Sequence, residues 1–273
     1  MKKLVLLLIA SLFSALTFGQ INKTLGTFYY EEDKSIYVFY ATSDGSLVGS
    51  KEIEYREDKK ATDIAHVFGT YYYERDTSIY VFYATPDGTL VGSKEIEFRE
   101  DKKATDIAHV FGTSYYQGDS STYFIYATSD GTLVGSKEIE YKEDKKATDI
   151  THAFGTSYSE EDSSVYVFYA TADGTLIGSK EIEYKEDKKA TDITHVFGTV
   201  YYKGDKSIYV FYATADGTIV GSKEIEYRKD KKTTDIAHAF GTFYYEGDKS
   251  IYVFYATSDG SLVGSKEIEY REL

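Results

Sequence analysis

Five histidines, His66, His109, His152, His195 and His238, each stand three residues after an aspartate, beginning with Asp63 before His66. Imidazole and carboxylate together could ligate a metal or move a proton, but a metal needs ligands that converge on one point. On an extended strand Asp63 and His66 point to opposite faces. The pattern is therefore read as a structural histidine between Ile64 and Phe68, and neither a metal nor any other cofactor is expected. Other matches fail on their details. Gly88-Thr89-Leu90-Val91-Gly92-Ser93-Lys94 has the ingredients of a phosphate loop, but its spacing is short, Ser and Lys are reversed, and it runs through a strand. The Asp-Gly turns beginning at Asp44-Gly45 lack the further acidic ligands of a calcium loop. Cysteine is absent and no Gly-x-Ser-x-Gly elbow occurs, so neither nucleophile is available in a known setting. Glu52 and Glu54 could pair for glycoside cleavage, but copied along the chain on an alternating strand they read as a solvated face. A noncatalytic protein is expected, with a secreted hydrolase as the lesser alternative.

Tyrosine carries the most promising surface. Tyr29 and Tyr30 recur as Tyr72 and Tyr73, Tyr115 and Tyr116, Tyr201 and Tyr202, and Tyr244 and Tyr245, while the fourth copy has Tyr158 followed by Ser159. The preceding position varies as Phe28, Tyr71, Ser114, Ser157, Val200 and Phe243. Copies have diverged here, which marks either unconstrained surface or a tuned contact surface. Tyrosines offer rigid amphipathic area for stacking on sugars or packing on proteins, so these residues are the ligand-binding candidates. The alternative is ordinary cross-strand pairing within a sheet.

These residues belong to a 43-residue unit whose Gly-Thr openings fall near 26, 69, 112, 155, 198 and 241. A fixed period of this length implies stacked units that cannot bury their faces alone. Each unit divides into four segments. An aromatic run (Phe28-Tyr29-Tyr30) leads to a polar turn at Asp33, then Ile36 to Thr42 is apolar or aromatic at nearly every position, as in a strand buried on both faces. Asp44-Gly45 closes a hairpin. In the third segment, Leu47 to Tyr55, Ile53 and Tyr55 share one face and Glu52 and Glu54 the other, which implies a half-exposed strand. The fourth, 57–68, fits a short helix capped by Asp58, yet copies differ at 65 and 67 while 64, 66 and 68 stay fixed, a period of two that favours a strand.

Tyr83-Ala84-Thr85-Pro86-Asp87-Gly88-Thr89-Leu90-Val91 resembles the Ser-Pro-Asp-Gly hairpin of β-propeller blades such as WD40 repeats. The Trp-Asp dipeptide and the Gly-His pair of that family are missing, so no functional residue is carried over. Four strands per unit predict an all-β fold, six antiparallel meanders forming a six-bladed β-propeller. Two alternatives stay open: an elongated β-repeat array, or βββα repeats with a helix at the His-bearing segment. The fourth segment occurs five times against six for the others, and Gln20 to Thr24 does not resemble the missing piece. An incomplete ring would leave sheet edges open to self-association.

Lys2 and Lys3, the apolar run Leu4 to Leu16 and the small residues before Gln20 read as a signal peptide over 1–19, followed by one repeat domain over 20–273. The protein is then expected outside the cell or in the cell envelope. The formal charge of −14, or −16 without Lys2 and Lys3, repels nucleic-acid phosphates. No further segment could span a membrane as a helix. The expected partner is a multivalent carbohydrate or protein target; a structural envelope protein is the alternative.

Overall fold

Near-continuous apolar residues in each unit bury both faces of the middle strands, and neighbouring sheets share what they bury. The computed structural model describes residues 21–271 apart from 101–102, 144–145, 187–188, 203, 231–232 and 234; the leader lies outside the described residues. The chain forms six four-stranded sheets arranged as a six-bladed β-propeller. In the second blade the order from axis to rim is an inner strand His66–Tyr73, a second strand Ser78–Ala84, a third Leu90–Ser93 and a rim strand Glu54–Arg56. Inner strands of successive blades touch all the way round, the first against the sixth included.

Two expectations need correction. Leu47 to Tyr55 is not one strand: Leu47–Ser50 belongs to the first blade, residues 51–53 cross over, and Glu54–Arg56 becomes the rim of the second. Because the chain keeps its direction across this short break, the rim strand pairs parallel to its neighbour, with Tyr55 opposite Gly92. The blade is therefore not a plain antiparallel meander. Of the segment 57–68, residues 57–65 are an irregular crossing back to the axis, while the expected strand holds from His66, and from Ile150 and Ile193 in the fourth and fifth blades, and runs straight into the aromatic segment as one inner strand. No described residue is helical, so the βββα alternative falls. The crossing is pinned to the next blade: Ala61 N–H donates to Gly131 O at 2.8 Å, and Lys60 Nζ lies 2.5 Å from Asp130 Oδ2.

The ring is closed, which removes the elongated array. Glu269–Arg271 pairs with Leu47–Ser50 as the first blade's rim, and the inner strand Ile21–Tyr30 fills the place thought empty. Lys23 sits opposite Ala41 as His66 sits opposite Ala84. Ile21 and Leu25 thereby stand where Ile64 and Phe68 stand, and Leu25 is 2% exposed. Threonine hydroxyls of the Gly-Thr pairs link inner strands, Thr27 to the Thr70 carbonyl at 3.2 Å, Thr70 to that of Thr113 at 3.1 Å and Thr242 to that of Thr27 at 3.2 Å. The sheet edge expected at the missing segment is thus paired.

The hydrophobic core lies between blades. Ile79, Val81 and Tyr83 of the second pack against Phe111, Ile125 and Leu133 of the third, and five similar clusters complete the ring. Burying such side chains contributes about 1.5–3 kcal/mol each before entropy is counted. The Asp-Gly hairpin is a three-residue loop: Gly45 N–H donates to Thr42 O at 3.0 Å with Gly45 at φ 85°, a conformation other residues adopt only with strain.

Candidate binding clefts between blades

Strand alternation sends adjacent tyrosines into different gaps. Tyr29 turns toward the second blade, where it stacks on Tyr71 at 5.4 Å and meets Tyr73 edge-on at 6.0 Å. Tyr30 turns toward the sixth, meeting Tyr244 at 6.1 Å and its own blade's Tyr37 at 6.5 Å. Tyr72 meets Tyr116 at 5.6 Å, Tyr158 meets Tyr202 at 5.8 Å, Tyr201 stacks on Phe243 at 5.5 Å, and Tyr244 stacks on Phe28 at 5.4 Å. Tyr73, Tyr116 and Tyr202 stand edge-on to Tyr80, Tyr123 and Tyr209 of their own blades. Tyr115 is 52% exposed and Tyr245 40%. The candidate tyrosines therefore do not form paired patches: the first of each pair, Tyr115 excepted, closes the inner end of one cleft, and the second, where present, lines the cleft on the blade's other side.

Four clefts share one plan. Between the first and second blades a cavity of ≈ 420 Å³ is lined by Tyr29, Lys34, Ser35, Ile36 and Lys51 on one side and Tyr55, Tyr73 and Tyr80 on the other. Between the sixth and first, Lys249, Ser250 and Lys266 face Tyr30, Tyr37 and Tyr270 across ≈ 340 Å³. Between the fifth and sixth, Lys206, Ser207 and Lys223 face Tyr227, Tyr245 and Tyr252 across ≈ 390 Å³. Between the fourth and fifth, Ser163, Ser164 and Lys180 face Tyr184, Tyr202 and Tyr209 across ≈ 380 Å³.

Apart from the inner-strand tyrosines, these positions escaped the sequence reading. The rim ring, read as sharing a face with Ile53, is instead out in solvent: Tyr55 is 56% exposed, Tyr141 61% and Tyr270 52%. It stands edge-on to a middle-strand tyrosine, Tyr55 on Tyr80 at 5.8 Å and Tyr184 on Tyr209 at 5.5 Å. That tyrosine is held from its tip: Tyr37 Oη donates to Asp33 Oδ2 at 2.7 Å, Lys51 Nζ lies 3.3 Å from the same oxygen, and the ammonium sits 5.8 Å from the Tyr37 ring centre. Partial burial alone would raise the Asp33 carboxyl, but the phenol and the ammonium outweigh it and hold it below the ordinary carboxylate range. In the fourth blade the Tyr166 phenol is the main cause that brings Asp162 down to about 2. The signal for this triad was present, since Asp33, Tyr37 and Lys51 recur in every copy, but the triad closes only once the hairpin is folded.

At each cleft mouth the turn after the inner strand holds a residue with a side chain in the left-handed region: Lys34, Thr77, Ser120, Ser163, Lys206 and Lys249, with φ between 53° and 57°. This conformation costs roughly 1–2 kcal/mol that glycine would avoid. The residue changes among Lys, Thr and Ser but is nowhere Gly, so a polar side chain is kept there despite the strain.

The histidines lie elsewhere, half-buried near the start of the inner strands. Partial burial pushes the His152 and His195 imidazoles down, His195 further through its neighbour His152, and His238 is lowered by partial burial and then by the Lys23 ammonium. Among the described residues no three His, Cys, Asp or Glu side chains gather as a metal site would require.

No protein-family model and no curated protein sequence matches this chain. Among solved structures, an endo-1,4-β-xylanase from Bacteroides thetaiotaomicron is 14% identical over 92% of this chain and 91% of its own, with a TM-score of 0.22. A glyoxalase I variant from Zea mays is 11% identical over 78% of this chain and 91% of its own, with a TM-score of 0.14. Likenesses at this level carry no information about activity. The architecture is that of propeller-type repeat proteins in general.

Proposed function

We propose that this is a secreted or surface-associated, noncatalytic binding protein whose inter-blade clefts each take a unit of a neutral glycan. One observation carries the reading: four clefts repeat the same wall, a lysine and a serine from one blade facing three aromatic positions of the next. Aromatic faces suit the apolar side of a pyranose ring, and the lysine, serine and phenol groups supply donors and acceptors for its hydroxyls. Cavities of this size fit one or two sugar rings better than a protein surface. The acidic body disfavours polyanions. The carboxylate beside each cleft is engaged by a phenol and an ammonium and held ionised, which suits it to positioning rather than to proton transfer. Clefts repeated around one ring let weak single contacts add into avidity of 10²–10⁴-fold over one site.

The test is a glycan array with the leaderless chain, followed by calorimetry on the sugars that bind. Replacing the six exposed rim rings Tyr55, Phe98, Tyr141, Tyr184, Tyr227 and Tyr270 by alanine leaves the core intact and should abolish array binding. Unchanged binding in that variant would place any recognition outside the clefts.

A further inference from the structure

The six gaps between blades, four of which form the clefts described above, are not alike at their inner ends. In five of them the first tyrosine of the inner-strand pair meets a ring of the following blade, as Tyr29 meets Tyr71, Tyr72 meets Tyr116, Tyr158 meets Tyr202, Tyr201 meets Phe243 and Tyr244 meets Phe28. Those ring contacts shut the cleft toward the axis. Between the third and fourth blades the two positions that would supply the ring are Ser157 and Ser159. Tyr115 consequently stands 52% exposed, whereas its five counterparts are half-buried. The wall also changes: Thr122 replaces the isoleucine or valine found there in the other copies. At the other end of the same cleft the rim ring Tyr141 is 61% exposed, the most of any rim position.

We infer that this cleft is an extended subsite that takes two linked sugar rings where the others take one, an inference that rests on the glycan reading above. Tyr141 offers a platform to the outer ring, as the rim ring, Tyr or Phe98, does in the other blades. Tyr115 offers a second platform at the inner end, left bare only here. The Ser157, Ser159 and Thr122 hydroxyls replace apolar surface with groups that can both donate and accept, which suits the hydroxyl-rich edge of a second pyranose. Specificity for length then resides in a single cleft, while the remaining clefts add avidity for terminal single units.

The test fills the gap with residues the protein already uses: Ser157→Phe with Ser159→Tyr reproduces the pair that Phe28 and Tyr30 form in the first copy. A second variant, Tyr115→Ala, removes the inner platform without adding bulk. Neutral mono- and disaccharides that bind on the array are titrated calorimetrically against the leaderless chain and both variants. Saturation-transfer NMR reads which ring of the disaccharide touches protein. Disaccharide affinity at its tightest site should fall roughly three- to tenfold in both variants, the size of one lost ring contact, with a smaller fall for the monosaccharide and transfer to the second ring lost. A disaccharide-to-monosaccharide preference that stays the same in both folded variants overturns the extended subsite while leaving the glycan reading standing. No sugar binding by the unaltered chain overturns both.

Discussion

The third strand of each blade carries a glycine that superficially completes a phosphate loop, and its true role can be tested with one methyl group. A Cβ on Gly49 would lie 2.8 Å from Phe39 Cε1 and 3.3 Å from Tyr270 Cδ1. Phe39 is 0% exposed and cannot retreat, whereas Tyr270 at the rim can swing. The buried contact therefore decides the outcome, with overpacking of about 1–3 kcal/mol offset by about 0.4–1 kcal/mol from a less flexible unfolded chain. Gly49→Ala should then lose about 1–2 kcal/mol, which for a domain of this size lowers Tm by roughly 2–8 °C. Gly118 is the internal control. A Cβ there would come still closer, 2.6 Å from Tyr116 Cε1, but it meets the far end of a ring that can move, and Glu32, Arg75 and Glu161 occupy the same position in other copies. Gly118→Ala should melt within about 1 °C of the parent, or slightly above it. Scanning calorimetry of the two variants gives the answer. Equal melting of Gly49→Ala and the parent would refute the claim that the rim and middle rings lie flush on bare backbone.

Leu25→Ala should cost about 2–5 kcal/mol by opening a cavity at the ring's closing blade; a melt like that of the parent would show that Ile21 to Leu25 does not occupy the place of the His-bearing segment. Because Asp33, Asp76, Asp119, Asp162, Asp205 and Asp248 are held below their ordinary range by phenol and lysine partners, their contribution is complete above about pH 4 and is lost as pH falls through the folded values, about 2 for Asp162. Melting curves between pH 5 and 2 should drop steeply, and Asp162→Asn should flatten the drop. For His152, His195 and His238, pushed down in the fold, the unfolded chain takes up protons first, so stability declines as pH falls below about 6.5 and levels off below the folded values. Equal Tm at pH 7.5 and 5.5 would contradict this.

Much of the blade was legible from residue pattern. Ile36 to Thr42 reads as a strand buried on both faces because it is one, and Asp44-Gly45 turns the chain where its chemistry requires. The break at Lys51-Glu52-Ile53 was not legible, since alternation of charged and apolar residues continues unbroken through a crossing between two sheets. Tyr55 was therefore assigned to a face it shares with Ile53, although the crossing turns it outward. The period of two at 64–68 was legible, since the inner strand opens at His66 and at Ile150 and Ile193 in two other copies; 57–63 gave no such signal because their amides are satisfied partly by a neighbouring blade, as with Ala61 and Gly131. The divergence at Phe28, Tyr71, Ser114, Ser157, Val200 and Phe243 was legible as the place where the copies differ. That it forms the inner ends of clefts depended on the ring, which no single unit encodes.

The blade that joins Ile21–Tyr30 to Glu269–Arg271 acts as a clasp, and this sets an order of events in folding. Five blades can assemble from neighbouring stretches of chain as they emerge during synthesis. The clasped blade must bring together segments separated by nearly the whole array, a loop closure whose entropy is not recovered until the last strand docks. Until then the facing sides of the first and sixth blades expose Leu25, Phe39, Val253 and their neighbours to water. The nearly complete ring is thus the species most prone to join a second chain, clasping in trans what it has yet to clasp in cis.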